Sequence, residues 1–166
     1  MYRANHLVML LWALVSSTVL FALPNDSKEP VRISSDTWSY NYKTGMNEYT
    51  GHVNVIQGST HLTADRLTTK SNTERKIQEA IAYGSTEPAH YWTLIDSNGT
   101  PVHAYANIIK FYPIESNVTL LQKVTLTQGE NSFQGELIHY NSNDQTITVP
   151  ELTDSRAVLL YNPDTD

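Results

Sequence analysis

Cysteine is absent from the 166-residue chain. No disulfide can staple the fold and no thiolate can bind metal or attack a substrate, so burial alone must hold the domain. Secreted eukaryotic domains of this size usually carry disulfides, whereas bacterial periplasmic ones manage with a core, and the missing cysteines favour the second compartment. On that reading the sequons at Asn98 and Asn117 are turn residues. Cationic residues are scarce too: 11 Lys and Arg face 17 Asp and Glu, a net charge of −6. No basic patch interrupts the acidic balance, which argues against nucleic acid as a partner. Recognisable chemistry is missing as well, with no nucleophile elbow, phosphate loop or paired-histidine metal motif. No segment has a convincing amphipathic helical pattern.

What is present begins with an address. Arg3 precedes an almost unbroken apolar run over residues 7–23, which Pro24, Asn25, Asp26 and Ser27 break. This is the layout of a secretory signal peptide over 1–22, with Leu20 and Ala22 placed at −3 and −1 of a cleavage site. An uncleaved anchor is the alternative, since the run is at the lower edge of membrane-spanning length. Cleavage leaves ten basic residues against the same 17 acidic ones. A polar lead-in over 23–30 then precedes one domain over 31–161, and 162–166 form a tail.

The domain is organised around residues 49–67. Val53 and Val55 alternate with His52 and Asn54, Gln57 to Thr60 turn the chain, and Leu62 and Ala64 alternate on the way back. That is a hairpin with one apolar and one wet face. The unit recurs at 120–140 with a constant offset of 71 residues, running from Val31/Val102 to Asn72/Asn143. Only Val31, Val53, Gln57, Gly58, Ser71 and Asn72 are identical to their counterparts, but the apolar pattern agrees along most of the span. Short strands with turns every 8–12 residues point to an all-β sandwich, jelly roll or barrel-like sheet, and the duplicated hairpins favour folded-over sheets. Residues 76–83 are ambiguous between helix and strand, and their strand neighbours favour strand. Asp96 to Gly99 read as a hairpin turn.

Candidate chemistry is thin. His52, His61, His90, His103 and His139 alternate with apolar strand residues and read as outward polar positions. Asp65 and Glu136, at equivalent repeat positions, are a conceivable carboxylate pair, yet each follows a small inward residue and points to solvent. Glu79 and Glu87 are no stronger. The aromatics are more telling: Trp38, Tyr40, Tyr42, Tyr49, Tyr91, Trp92, Phe111, Tyr112 and Phe133 give a small sheet a large apolar interior. They either pack a core or line a slot between two incompletely closed sheets.

The segment TGHVNVIQGSTHLTADRL at 50–67 resembles the OstA-type repeat TGNVxVxQGxxxLxAD of the LptA family of lipopolysaccharide export. Pro30 to Asp36 (PVRISSD), Glu87 to Tyr91 with the turn after it, and residues 104–111 resemble further segments of that family. The likeness covers 30 to about 140. It departs at His52, where Asn is usual, at Gln122, where Gly is common, and in lacking the Gly/Ala-rich or charged C-terminal tail of some members. The resemblance implies an all-β, folded-over antiparallel β jelly roll (OstA-like), open along one side and at both ends. It also implies a periplasmic, non-enzymatic carrier without cofactors that holds the acyl chains of lipid A, the lipid of lipopolysaccharide. Members stack head to tail with themselves and with LptC-like inner-membrane and LptD-like outer-membrane jelly rolls.

Taking one parity per strand, the expected groove lining is Val31, Ile33, Trp38, Tyr40, Val53, Val55, Leu62, Ile81 and Tyr91, then Ile109, Phe111, Leu120, Val124, Leu126 and Phe133. Asp36 and Arg66 are expected as structural ion-pair partners or end contacts. Competing readings are a membrane-anchored LptC-like component and a secreted β-sandwich carbohydrate-active enzyme. An eight-stranded outer-membrane barrel conflicts with the short strands and the polar C-terminus.

Overall fold

The computed structural model describes residues 26–94, 99–141, 144, 146–151 and 156–162. The expected signal peptide, residues 23–25 of the lead-in, most of the 96–99 turn and residues 163–166 of the tail lie outside them. A short 3-10 turn, Asp26–Lys28, leads into twelve strands among the described residues. The first six are β1 (Arg32–Ser34), β2 (Thr37–Asn41), β3 (Met46–Gln57), β4 (Thr60–Ser71), β5 (Ile77–Tyr83) and β6 (Ala89–Thr93). The second six are β7 (Val102–Ala106), β8 (Ile108–Tyr112), β9 (Asn117–Gln128), β10 (Asn131–Asn141), β11 (Thr146–Thr148) and β12 (Val158–Leu160). All pairings are antiparallel, and residues 77–83 are strand, as their neighbours suggested.

Four long strands make the sheet fold over. The N-terminal half of β3 pairs with β2 and its C-terminal half with β1, while β4 pairs with β5 and β6 through opposite halves. β9 and β10 do the same with β8 and β7, and with β11 and β12. Two residues oppose one where Gly51 and His52 of β3 face Asp65 of β4 and where Gln122 and Lys123 of β9 face Glu136 of β10, so inward parity switches along the partner strands β4 and β10. Leu62 and Ala64 face inward before the bend and Leu67 and Thr69 after it; their counterparts are Phe133, Gly135, Ile138 and Tyr140. Extra residues at a bulge bend a strand and sharpen its twist. The result is two half-sheets joined along a spine: β2, β5, β8 and β11 flank one, and β1, β6, β7 and β12 flank the other.

The 71-residue repeat reaches the backbone. Left-handed φ values recur at Gly45 and Ser116, Gly51 and Gln122, His52 and Lys123, and Gly58 and Gly129. Asp36 N–H donates to the Gly51 carbonyl at 2.8 Å, and Asn107 N–H to the Gln122 carbonyl at 2.9 Å. The two departures from the family motif thus fall where the backbone is left-handed, a region Gly and Asn tolerate best. At His52 the ring Nδ1 lies 2.7 Å from Asp36 Oδ2, so a long-range partner accompanies the unusual residue.

The lead-in is more than a spacer. Asp26 is 6% exposed, and its carboxylate accepts hydrogen bonds from Ser59 N–H and Ser59 Oγ. Gly58 is required there, because a Cβ would collide with the Asp26 carboxyl group. Gln57 Nε2 also donates to the Glu29 carbonyl at 3.1 Å.

Candidate functional site: an apolar groove between the half-sheets

The inward faces of both half-sheets meet. Val53, Leu62, Ala104 and Val124 come from one, Leu67, Ile109, Leu120 and Ile138 from the other, and together they form the buried cluster. Toward the second repeat a narrow slot remains, lined by Tyr91, Ala104, Ile109, Val118, Leu120, Leu126, Ile138, Tyr140 and Ile147. No charged side chain lines it. Its free space is about 40 Å³, room for no more than a few waters and far short of an acyl chain. Tyr91, one of the lining residues, meets Phe111 of the other half-sheet with ring centroids 5.6 Å apart. Burial pushes the Tyr91 hydroxyl up to about 12, and that hydroxyl meets Thr60 and Thr93. Thr60 Oγ1 is 2.9 Å from Thr93 Oγ1, so this end of the slot is a satisfied polar cap.

Eleven of the fifteen expected lining residues pack in or against this core: Ile33, Val53, Val55, Leu62, Tyr91, Ile109, Phe111, Leu120, Val124, Leu126 and Phe133. The other four differ. Ile81 faces the outer side, because Ala80 and Ala82 are the inward residues of β5. Val31, Trp38 and Tyr40 lie on the groove side of the N-terminal edge but are 50%, 62% and 40% exposed. Among the described residues no strand beyond β1 and β2 covers them. Ala82, Ala89, Ala104, Ala106 and Ile138 are central residues that the sequence reading missed. Ile138 was available as the counterpart of Leu67; alanines give too little hydrophobic contrast to reveal a face.

The polar candidates have local duties. Asp65 accepts from Ser85 N–H at 2.6 Å, Ser85 Oγ at 2.6 Å and Thr86 N–H at 2.9 Å, which holds its carboxyl down to about 2. Glu136 instead takes the Lys123 N–H at 3.4 Å. Arg66 pairs with Glu48 at 3.2 Å and lies 4.1 Å over the Tyr83 ring. Among the described residues no group of three or more His, Cys, Asp or Glu side chains could hold a metal ion.

The family model described as LptA/(LptD N-terminal domain) LPS transport protein matches residues 32–146. The chain belongs to this family. The lipopolysaccharide export system protein LptH of Pseudomonas aeruginosa is 30% identical over 150 residues, 90% of this chain and 85% of that protein. LptA of Escherichia coli K12 is 28% identical over 141 residues, covering 84% and 75%. The crystal structure of LptH, the LptA-homologous periplasmic component of the lipopolysaccharide transport device from Pseudomonas aeruginosa, superposes with a TM-score of 0.75 at 26% identity. It covers 84% of this chain and 100% of that one. That match establishes the β jelly roll. The stretch matched by the LptA/LptD family model spans both repeats, from the start of β1 to the start of β11.

Proposed function

We propose that this protein is a periplasmic bridge component of lipopolysaccharide export that carries lipid A acyl chains between its half-sheets. The observation that carries the reading is the slot, shared by both half-sheets and lined by apolar and tyrosine side chains alone. Exposing acyl chain to water costs roughly 0.8 kcal/mol per CH₂, so a carrier needs continuous apolar cover. Passage from one such groove to the next is nearly neutral, which lets the lipid advance without a deep trap. The closed slot means that the half-sheets part to admit a chain, with the Tyr91–Phe111 contact as the point that yields. Carriage needs no catalytic group, and the protein acts as a carrier rather than an enzyme after removal of residues 1–22.

Its partners are further jelly rolls: copies of itself, an LptC-like domain at the inner membrane and an LptD-like domain at the outer membrane. The seam between the repeats supplies a template for these junctions. There Ala80 pairs with Phe111 and Tyr91 with Ala104. At the C-terminal edge Ile147 holds the place of Ala80 and Leu159 that of Tyr91. At the N-terminal edge Tyr40 and Ile33 hold the places of Phe111 and Ala104. Repeating the seam between copies puts Ile147 opposite Tyr40 and Leu159 opposite Ile33, by strand addition at open edges.

The test is a photo-crosslinking amino acid at Phe111, with the outward neighbour Lys110 as control, in living cells. Lipopolysaccharide adducts at Phe111 and none at Lys110 are expected. Adducts at neither, in folded protein, reduce the aromatics to a core. N-terminal sequencing of the mature protein checks export, and an intact Met1 start contradicts the cleaved signal.

A further inference from the structure

Folding gathers histidines that the sequence scatters. His61 of β4, His90 of β6 and His103 of β7 share the outer face with Trp92 and Tyr105. His61 stacks on Trp92 at 4.6 Å with 2° between planes. His90 sits between Trp92 at 4.6 Å and Tyr105 at 4.1 Å. Across the β6–β7 pair, His90 Nε2 lies 2.9 Å from His103 Nδ1. One of these nitrogens donates and the other accepts, so a ring lone pair is already aimed into the gap. Lipid carriage uses none of these groups, which face away from the groove.

We propose that His90 and His103 form a two-histidine site for a divalent transition metal ion, Cu²⁺ ahead of Zn²⁺. Imidazole suits both ions, and the usual affinity order places Cu²⁺ first. Metal–nitrogen bonds of about 2.0–2.1 Å put two ligating nitrogens roughly 2.9 Å apart in cis positions of a tetragonal Cu²⁺ ion and roughly 3.3 Å apart around a tetrahedral Zn²⁺ ion, so the rings separate by no more than about half an ångström. The hydrogen now between them moves to the far nitrogen of its ring, and no proton is lost overall. Burial and the neighbouring His103 hold His90 down to about 4, so it is a neutral ligand at pH 7. Stacking by Trp92 and Tyr105 fixes the ring planes. Water fills the remaining positions. Because β6 closes the first repeat and β7 opens the second, the ion staples the seam.

The experiment titrates CuCl₂ and ZnCl₂ into the untagged mature protein, reading stoichiometry by calorimetry, the thermal midpoint, and Cu²⁺ coordination by electron paramagnetic resonance. One ion per chain, a raised midpoint and two equatorial imidazole nitrogens are expected. His90→Phe keeps a stacking ring and removes a ligand, and it should weaken binding by about tenfold or more; His139→Gln should leave binding unchanged. Absence of binding by the wild type overturns the proposal. So does a resonance spectrum without two imidazole nitrogens, or binding that survives in His90→Phe/His103→Gln.

Discussion

Trp38 and Ile109 occupy the same position in the two repeats, opposite Tyr49 and Leu120, yet Trp38 is 62% exposed and Ile109 is fully buried. The difference lies in the neighbours. β8 is flanked by β5 as well as β9, whereas among the described residues β2 pairs with β3 alone. At the opposite edge Leu159 is 71% and Ile147 57% exposed. Trp38→Asp should therefore barely alter monomer stability, within about 0.5 kcal/mol, while abolishing end-to-end association. Light scattering after size exclusion, as a function of concentration, checks this. Retained oligomers would place the junction elsewhere.

Asp26 tests whether the lead-in belongs to the domain. Asp26→Ala strands the Ser59 N–H and hydroxyl in a part-buried site, a loss of about 1–3 kcal/mol. Asp26→Asn keeps one acceptor and should lose less. Urea midpoints of the two variants decide, and no difference between Ala and wild type would make the contact incidental.

The repeat and its hairpins were legible because the 71-residue offset carries apolar class, turn glycines and even bends from one half to the other. Trp38 was readable as groove-side from its alternation, but its exposure depends on β2 lying at the edge of the described sheet. Ile81 misled for another reason: size and hydrophobicity suggest inwardness, yet β5 turns Ala80 and Ala82 inward, against bulky neighbours such as Phe111. The stacking of His61, His90 and His103 depends on pairing among β4, β6 and β7, which no local pattern encodes.

His90 gives the stability a pH dependence of definite sign. Burial and then the neighbouring His103 lower its protonation from 6.5 to about 4. An unfolded imidazole takes up a proton below about pH 6.5 while the folded ring stays neutral until about 4, so acid favours the unfolded chain in that window. Stability is complete above pH 6.5, declines toward pH 4 and levels off beneath it. The ring is half-buried, and solvent screening limits the loss to about 1 kcal/mol. His90→Phe should flatten this slope in denaturant titrations run with chelator. The Asp65 contribution falls separately, below about pH 4, as its carboxyl is protonated. An unchanged slope in His90→Phe would transfer the effect to other histidines.

Gln122 is the counterpart of Gly51, with φ of 64° against 79°, and each carbonyl receives the corresponding backbone N–H. A residue with a Cβ is strained in that region by about 1–2 kcal/mol, whereas glycine is not. Gln122→Gly relieves the strain and gives back part of the gain as unfolded-state entropy, for a net stabilisation of about 0.5 kcal/mol. Gly51→Ala should do the opposite and more severely, because its Cβ would collide with the Asp36 carboxyl group as well as adopt the strained φ. Thermal unfolding of the pair reads both signs. A destabilised Gln122→Gly would mean that the second repeat relies on the Gln122 side chain for contacts that Gly51 never needed.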